Sequence, residues 1–358
     1  MLTSLARFAA PAVAIAALLS VTASTPLAPD LPGGLQWRNL GPFRGGRISA
    51  VSGVVGEPGT FYAGLPAAGV WKTTSAGETW YPVFDSITDV SSIGAVEVAP
   101  SNPNIIYVGT GDLITGGTIN EGNGVYKSTD AGKSWTHLGL DATKQIPSII
   151  VDPRTPDVVL IAAQGDIHVK SESRGVFRSA NGGATWTRTL FAGDSIGIQK
   201  LAMAYDRPDV IFASTVRHYT VPLPPSGIAV PANAPANAPA SGTALYKSID
   251  NGVTWKEISG GGLPRLTGRT GLAVAMNTNA QRVFIVTNTG LFRSDDGGTT
   301  WRQMDPTDPR IRNGQGGYNC GVYVDPKNPD IIYSTNTALY KSTDGSMPPA
   351  CSGVCNRC

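Results

Sequence analysis

"STDAGKSW", Ser128 to Trp135, returns along the chain with small changes. It aligns with "TTSAGETW" (Thr73 to Trp80), "SANGGATW" (Ser179 to Trp186), "SIDNGVTW" (Ser248 to Trp255) and "SDDGGTTW" (Ser294 to Trp301). A further copy opens as "STDG" at Ser342 and breaks off. The tryptophans are 55, 51, 69 and 46 residues apart. Such periods suit the four-stranded blade of a β-propeller with loops of varying length.

The flanks repeat too. An aromatic strand precedes each octet: "GVWK", "GVYK", "GVFR", "ALYK", "GLFR" and "ALYK". Upstream lie paired apolar runs such as "GAVEVAPSNPNIIYVGTG", joined by Pro, Asn and Asp, which read as two strands and a turn. The predicted blade is therefore strand A, a Pro-containing turn, strand B, a variable loop, strand C, the octet, and strand D starting at Trp. The expected fold is an all-β propeller over residues 35–345. Six blades are visible: five complete, and a sixth with strands A to C only. "WRNL" (Trp37 to Leu40) repeats the strand D pattern of "WTHL" and "WKEI" ahead of the first strand A. Either it completes the sixth blade and closes the ring, removing exposed sheet edges, or the chain is a truncated form of a longer propeller.

Within the octet, Asp130, Asn181, Asp250 and Asp296 can accept backbone N–H bonds in a tight turn. Gly132, Gly183, Gly252 and Gly298, two residues on, permit positive φ. Trp135, Trp186, Trp255 and Trp301 offer apolar plates between neighbouring sheets. The first copy carries Ser75 at the acidic position, which a catalytic acid would not tolerate. The octets are read as structural. "SDDGG" lacks the later Glu and the flanking helices of an EF-hand loop.

The octet resembles the Asp-box, or BNR repeat, of sialidases, sortilin-type receptors, xyloglucanase-type glycoside hydrolases and a photosystem II assembly factor. With "WRNLGPFRGGRISAV" and "IIYVGTGD", the chain is most similar to bacterial secreted sortilin-like proteins, often labelled glycosyl hydrolases. The resemblance covers roughly residues 35–344 and implies a propeller without fixing an activity. Sialidases carry Phe-Arg-Ile-Pro near the start, whereas here Phe43-Arg44 is followed by Gly45-Gly46. Xyloglucanase-type enzymes place a catalytic Asp in a "YARTDIGG"-like segment; here "YAGLPAAG" puts Pro66 at that place. The family's carboxylate pair is not carried over.

Strand parity assigns the octets and the A–B turns to one face, and the B–C loops and D–A connections to the other. Length variation falls in the B–C loops, where binding residues tend to sit. Asp112 and Asp166 follow strand B in neighbouring blades and are weak candidates for a glycosidase pair. Candidate ligand contacts on that face are Arg44, Arg47, Glu121, His168 and, at the base of the longest loop, Arg217, His218 and Tyr219. Glu172 shares these loops. Residues 221–243 include "PANAPANAPA", an extended spacer rather than another blade.

With 28 basic and 26 acidic residues, the chain lacks the basic excess of a nucleic-acid binder. Arg7, the apolar "FAAPAVAIAALL" and Val21-Thr22-Ala23 predict a signal peptide over residues 1–23, with an uncleaved anchor as the lesser reading. The protein is then expected to be secreted or periplasmic, without a stable membrane span. The tail, residues 346–358, contains "CSGVCNRC", whose spacing matches no common zinc pattern and lacks a nearby His, so no metal is expected. No phosphate loop, dinucleotide fingerprint or nucleophile elbow appears, and no cofactor is expected. The reading is a module binding a peptide, protein or carbohydrate ligand. Its alternatives are a glycoside hydrolase and an extracytoplasmic assembly factor.

Overall fold

The computed structural model describes residues 47–111, 120–218, 243–266, 269–305, 321–336 and 338–345. It is a six-bladed β-propeller of antiparallel sheets, and the sixth sheet has three strands. Blade 1 is β1 (Ala50–Val54), β2 (Glu57–Leu65), β3 (Gly69–Thr73) and β4 (Tyr81–Pro82). Blade 2 is β5 (Ile93–Val98), β6 (Ile106–Thr110), β7 (Val125–Ser128) and β8 (Thr136–His137). Blade 3 is β9 (Ser148–Val151), β10 (Val159–Ala163), β11 (Gly175–Ser179) and β12 (Thr187–Leu190). Blade 4 is β13 (Ile196–Ala204), β14 (Arg207–Arg217), β15 (Leu245–Ser248) and β16 (Lys256–Ile258). Blade 5 is β17 (Gly271–Val274), β18 (Val283–Thr287), β19 (Gly290–Ser294) and β20 (Arg302–Gln303). Blade 6 is β21 (Gly321–Val324), β22 (Ile332–Thr335) and β23 (Leu339–Ser342). Trp37 to Leu40, expected to close the ring, lie outside the described residues, as does the 346–358 tail.

Blades stack through their inner strands: β1 on β5, β5 on β9, β9 on β13, β13 on β17 and β17 on β21. The core lies between blades, because alternating strand residues face the sheet on either side. Between blades 2 and 3, Ala95, Tyr107 and Val125 meet Ile149, Val151 and Ile161. Each fully buried aliphatic contributes about 1.5–3 kcal/mol.

The octet is a turn closed by its own side chains. Ser128 Oγ donates to Asp130 Oδ1 (2.8 Å) and accepts from the Gly132 amide (2.8 Å). Asp130 Oδ1 also accepts from the Ser134 amide (2.9 Å), and Oδ2 from the Ser134 hydroxyl (2.6 Å). These bonds, the Ser134 hydroxyl foremost, hold the Asp130 carboxyl down to about 2. It is an acceptor, not a proton donor. In the first copy Ser75 Oγ takes the Thr79 amide instead (2.9 Å). The residue before the Gly also turns left-handed, with φ 60° at Ala131 and 57° at Asn251. Its amide bonds back to the A–B hairpin, as in Ala131 to Asn104 O (3.0 Å) and Asn251 to Asp209 O (2.9 Å), so both turn sets share one face.

Two contacts carry the octet between blades. The Trp135 indole donates to Val83 O (2.7 Å) and Trp186 to Leu138 O (3.0 Å), each in the preceding blade. In three blades the basic residue of the aromatic strand reaches forward, Lys127 to Gly182 O (3.3 Å), Arg178 to Asn251 O (2.9 Å) and Lys247 to Gly297 O (2.8 Å), whereas Arg293 pairs with Asp295 of its own blade (2.8 Å). Lys127 and Lys247 cross the faces of Tyr107 and Phe212 on the way. Lys127, Arg178 and Lys247 are therefore inter-blade ties.

Candidate ligand-binding face

Opposite the octets, the ends of the B strands meet the starts of the A strands. The Ile146 amide donates to Thr110 O (3.0 Å) in blade 2, and the Gln164 amide to Gln145 O (2.9 Å). His218, ending strand B of blade 4, bonds through its amide to Ser195 O (3.1 Å). Gly197 lets these strands close up, since a Cβ there would stand 2.9 Å from Gln164 Cα and 3.1 Å from His218 Cδ2. The result is an arc running from blade 2 to blade 4.

Polar groups along this face are buried without protein partners. They are Ser92 Oγ, Gln145 Oε1, Gln164 Oε1, Arg217 Nε, His218 Nε2 and Thr270 Oγ1. Such atoms are costly in a native structure and call for an explanation. Desolvation first, and the Arg174 charge second, push the His218 imidazole down to about 3, so it is neutral at working pH. His218, a candidate ligand contact at the base of the longest loop, is half-buried, with its Nε2 atom enclosed. Gln145 and Gln164 are buried although a Gln at a strand end reads in sequence as a solvated residue.

Arg174 fixes the blade 3 loop. It is fully buried and donates to four carbonyls: Asp194 (2.8 Å), Gln164 (2.5 Å), Asp166 (2.5 Å) and Val169 (2.8 Å). Burial lowers its pKa, while Asp166 and Asp194 pull the other way. Asp166 Oδ1 accepts the His168 amide (2.9 Å), so this candidate acid helps build the turn that presents His168, which is exposed. Glu121 is ion-paired with Lys144, and Asp166 lies within electrostatic reach of that lysine. Glu172 accompanies Arg188 (3.9 Å). Arg47 is described and exposed. Arg44, Asp112 and Tyr219 lie outside the described residues.

A second polar group sits on the inner strands. The Tyr205 phenol donates to Glu97 Oε1 (3.0 Å), tying blade 4 to blade 2. Desolvation raises the Glu97 carboxyl to about 7, against the pull of Tyr205 and Lys200. Desolvation also lowers Lys200, against Glu97. Glu97 and Lys200 stand as lone charges in the apolar strands "GAVEVAP" and "IQKLAMA", a signal visible in sequence. Because folding raises the Glu97 pKa from 4.5 to about 7, the native chain binds an extra proton between those values. That stabilisation is full below 4.5 and lost as pH rises through about 7. Glu97→Gln should therefore gain on the wild type by about 1–2 kcal/mol between pH 5 and pH 8, discounted for solvent reaching the group. Urea midpoints at the two pH values measure this. Parallel shifts for both proteins would refute it.

Among the described residues no cluster of His, Cys, Asp and Glu suits a metal ion, and no helix is long and apolar enough to cross a membrane. No protein-family model matches the chain. Over 269 residues, 70% of the chain, it is 24% identical to a xyloglucanase of Paenibacillus sp., covering 24% of that protein. Over the same length it is 24% identical to xyloglucanase Xgh74A of Acetivibrio thermocellus, covering 30% of it. The chain thus spans less than a third of the curated relatives it matches. Among solved structures it is similar to the GH74 enzyme of Niastella koreensis, with a TM-score of 0.60 and 19% identity. That match takes in 83% of this chain and 45% of the other. The GH74 xyloglucanase from Xanthomonas campestris gives a TM-score of 0.50 at 16% identity, over 89% of this chain and 54% of that one. These structural likenesses show the propeller fold.

Proposed function

We propose that this propeller binds a neutral polysaccharide across the arc of blades 2 to 4, on the face away from the octets. The observation that carries the reading is the polar lining of this face, with exposed His168, Lys170 and Glu172 in the blade 3 loop and the half-buried, neutral His218 in blade 4. Sugar hydroxyls both donate and accept, so they suit a neutral ring and mixed polar side chains. The sequence similarity to xyloglucanases supports a glucan as ligand. Export through the residues 1–23 signal, to a secreted or periplasmic site, belongs to the same reading.

Affinity electrophoresis against xyloglucan, mixed-linkage β-glucan and a charged control glycan tests it. His168→Ala and His218→Ala are each expected to weaken binding up to roughly tenfold, about 1.4 kcal/mol, as the loss of one hydrogen bond predicts. A chain retarded by no neutral glucan would end the proposal. The similarity to xyloglucanases also favours a second reading, glycoside hydrolysis, for which Asp112 and Asp166 are the acids to test because Pro66 replaces the family's catalytic Asp. Reducing-sugar release that disappears in Asp112→Asn or Asp166→Asn is its signature.

A further inference from the structure

Blades 1 and 2 leave a pocket between the outer strand of one and the octet of the other. The strand D residue beside the opening of strand C packs toward the octet glycine of the following blade. It is Leu138 in blade 2 and Ile258 in blade 4. A Cβ on Gly183 would stand 2.3 Å from Leu138 Cδ1, and one on Gly298 2.9 Å from Ile258 Cδ1. In blade 1 that place falls to Val83, whose amide donates to Val70 O (2.9 Å). A Cβ on Gly132 would stand 3.5 Å from Val83 Cγ2. The shorter side chain leaves a pocket of about 350 Å³, within the size range of small-molecule sites.

Two cations line it: Lys72 from strand C of blade 1 and Lys133 from the octet of blade 2. One blade further on, Lys127 pairs with Asp157 (3.3 Å), whose carbonyl also takes the Gly182 amide. The matching residue in blade 2 is Asn104, whose carbonyl takes the Ala131 amide, so Lys72 finds no acid there. Its Nζ lies 3.4 Å from Ala131 O and over the Tyr62 ring. Lys133 stands where the other octets carry Glu78, Ala184, Val253 and Thr299. Neither lysine forms a salt bridge among the described residues. Desolvation lowers the Lys72 pKa, Glu57 opposes it, and Lys133 adds to the lowering, so the two ammoniums act on each other. Exposed Tyr81, Asp85 and Ser86 complete the lining. A bare anion meets repulsion from Asp85, whereas a ligand with one carboxylate and several hydroxyls satisfies both signs of charge.

We propose that this pocket binds a hexuronate, a sugar ring bearing a carboxylate, with the carboxylate between Lys72 and Lys133. Charge-assisted bonds from the two ammoniums hold it. Ring hydroxyls donate to Asp85 and exchange hydrogen bonds with Ser86, and Tyr81 offers an apolar face to the sugar's C–H groups. The site lies beside the octets, away from the arc of blades 2 to 4, and is independent of the neutral-glucan reading.

Titration calorimetry of the full chain with glucuronate, galacturonate, glucose and acetate, in low-salt buffer, is the test. A uronate is expected to bind, and glucose and acetate are each expected to bind about tenfold more weakly or not at all. Tighter binding of a galacturonate trimer than of the monosaccharide would support a polysaccharide end as the source, and equal binding a free sugar. Lys133→Ala, at an exposed position, should weaken uronate binding by about tenfold, the loss of one charge-assisted hydrogen bond. Val83→Leu refills the pocket as Leu138 fills its own interface. It should abolish uronate binding while the melting temperature stays the same or rises. Both variants should retain neutral glucans as the wild type does, which separates this site from the arc of blades 2 to 4. No uronate binding, glucose or acetate binding as tightly as a uronate, or uronate binding that survives Val83→Leu would overturn the proposal.

Discussion

Arg174→Met is expected to lower the unfolding free energy by about 3–4 kcal/mol, one of the two largest losses from a single substitution here. Methionine restores much of the stem's packing volume, so the loss isolates the guanidinium. Four carbonyls, those of Gln164, Asp166, Val169 and Asp194, would lose their donor together. Each buried carbonyl left unpaired costs about 1–3 kcal/mol, and rehydration of the loop recovers part of the sum. Arg174→Lys retains the charge but not the planar fork, and should fall between the two. Urea unfolding at pH 7 reads the series. A loss under about 1 kcal/mol for the Met variant would mean that water replaces the clamp without penalty. Because the clamp also shapes the turn holding Asp166 and His168, glucan binding should weaken in parallel.

Arg174 also shows where sequence reading stops. The octet was legible because its bonds are local: Ser128, Asp130, Gly132 and Ser134 close on one another within seven residues. Blade order and the face carrying the octets followed from that period and from strand parity. Lys127, by contrast, looked like an ordinary basic strand end, since its partner Gly182 lies in the next blade. Arg174 sits in a stretch, "SESR", that reads as solvated surface, and only the folded loop encloses it. Gln145 and Gln164 are neighbours through strand pairing, which composition does not reveal. Of the residues expected on the ligand face, Glu121, Asp166, His168, Arg217 and His218 do lie on that side. Their roles differ: Asp166 builds a turn, and His218 is half-buried.

A comparable loss is expected at Gly111, the residue before Asp112. Its φ is +92°, outside the range side chains favour, and a Cβ there would collide with the Lys144 carbonyl oxygen and stand 2.8 Å from Gln145 Cα. Both obstacles are backbone, so neither swings aside as a side-chain tip would. Gly139 provides the control, with φ +79° but open space where its Cβ would be. Gly139→Ala should cost only the conformational strain, about 1–2 kcal/mol. Gly111→Ala carries a similar strain together with the displacement of the Lys144–Gln145 backbone, for a total of about 3–4 kcal/mol. The difference between the two variants in urea unfolding measures how tightly blade 2 is drawn onto the start of blade 3. Equal losses would show that the junction yields freely. If it does not, Gly111→Ala should also weaken glucan binding, because the ligand face shifts with the Lys144–Gln145 backbone, whereas Gly139→Ala should bind as the wild type does.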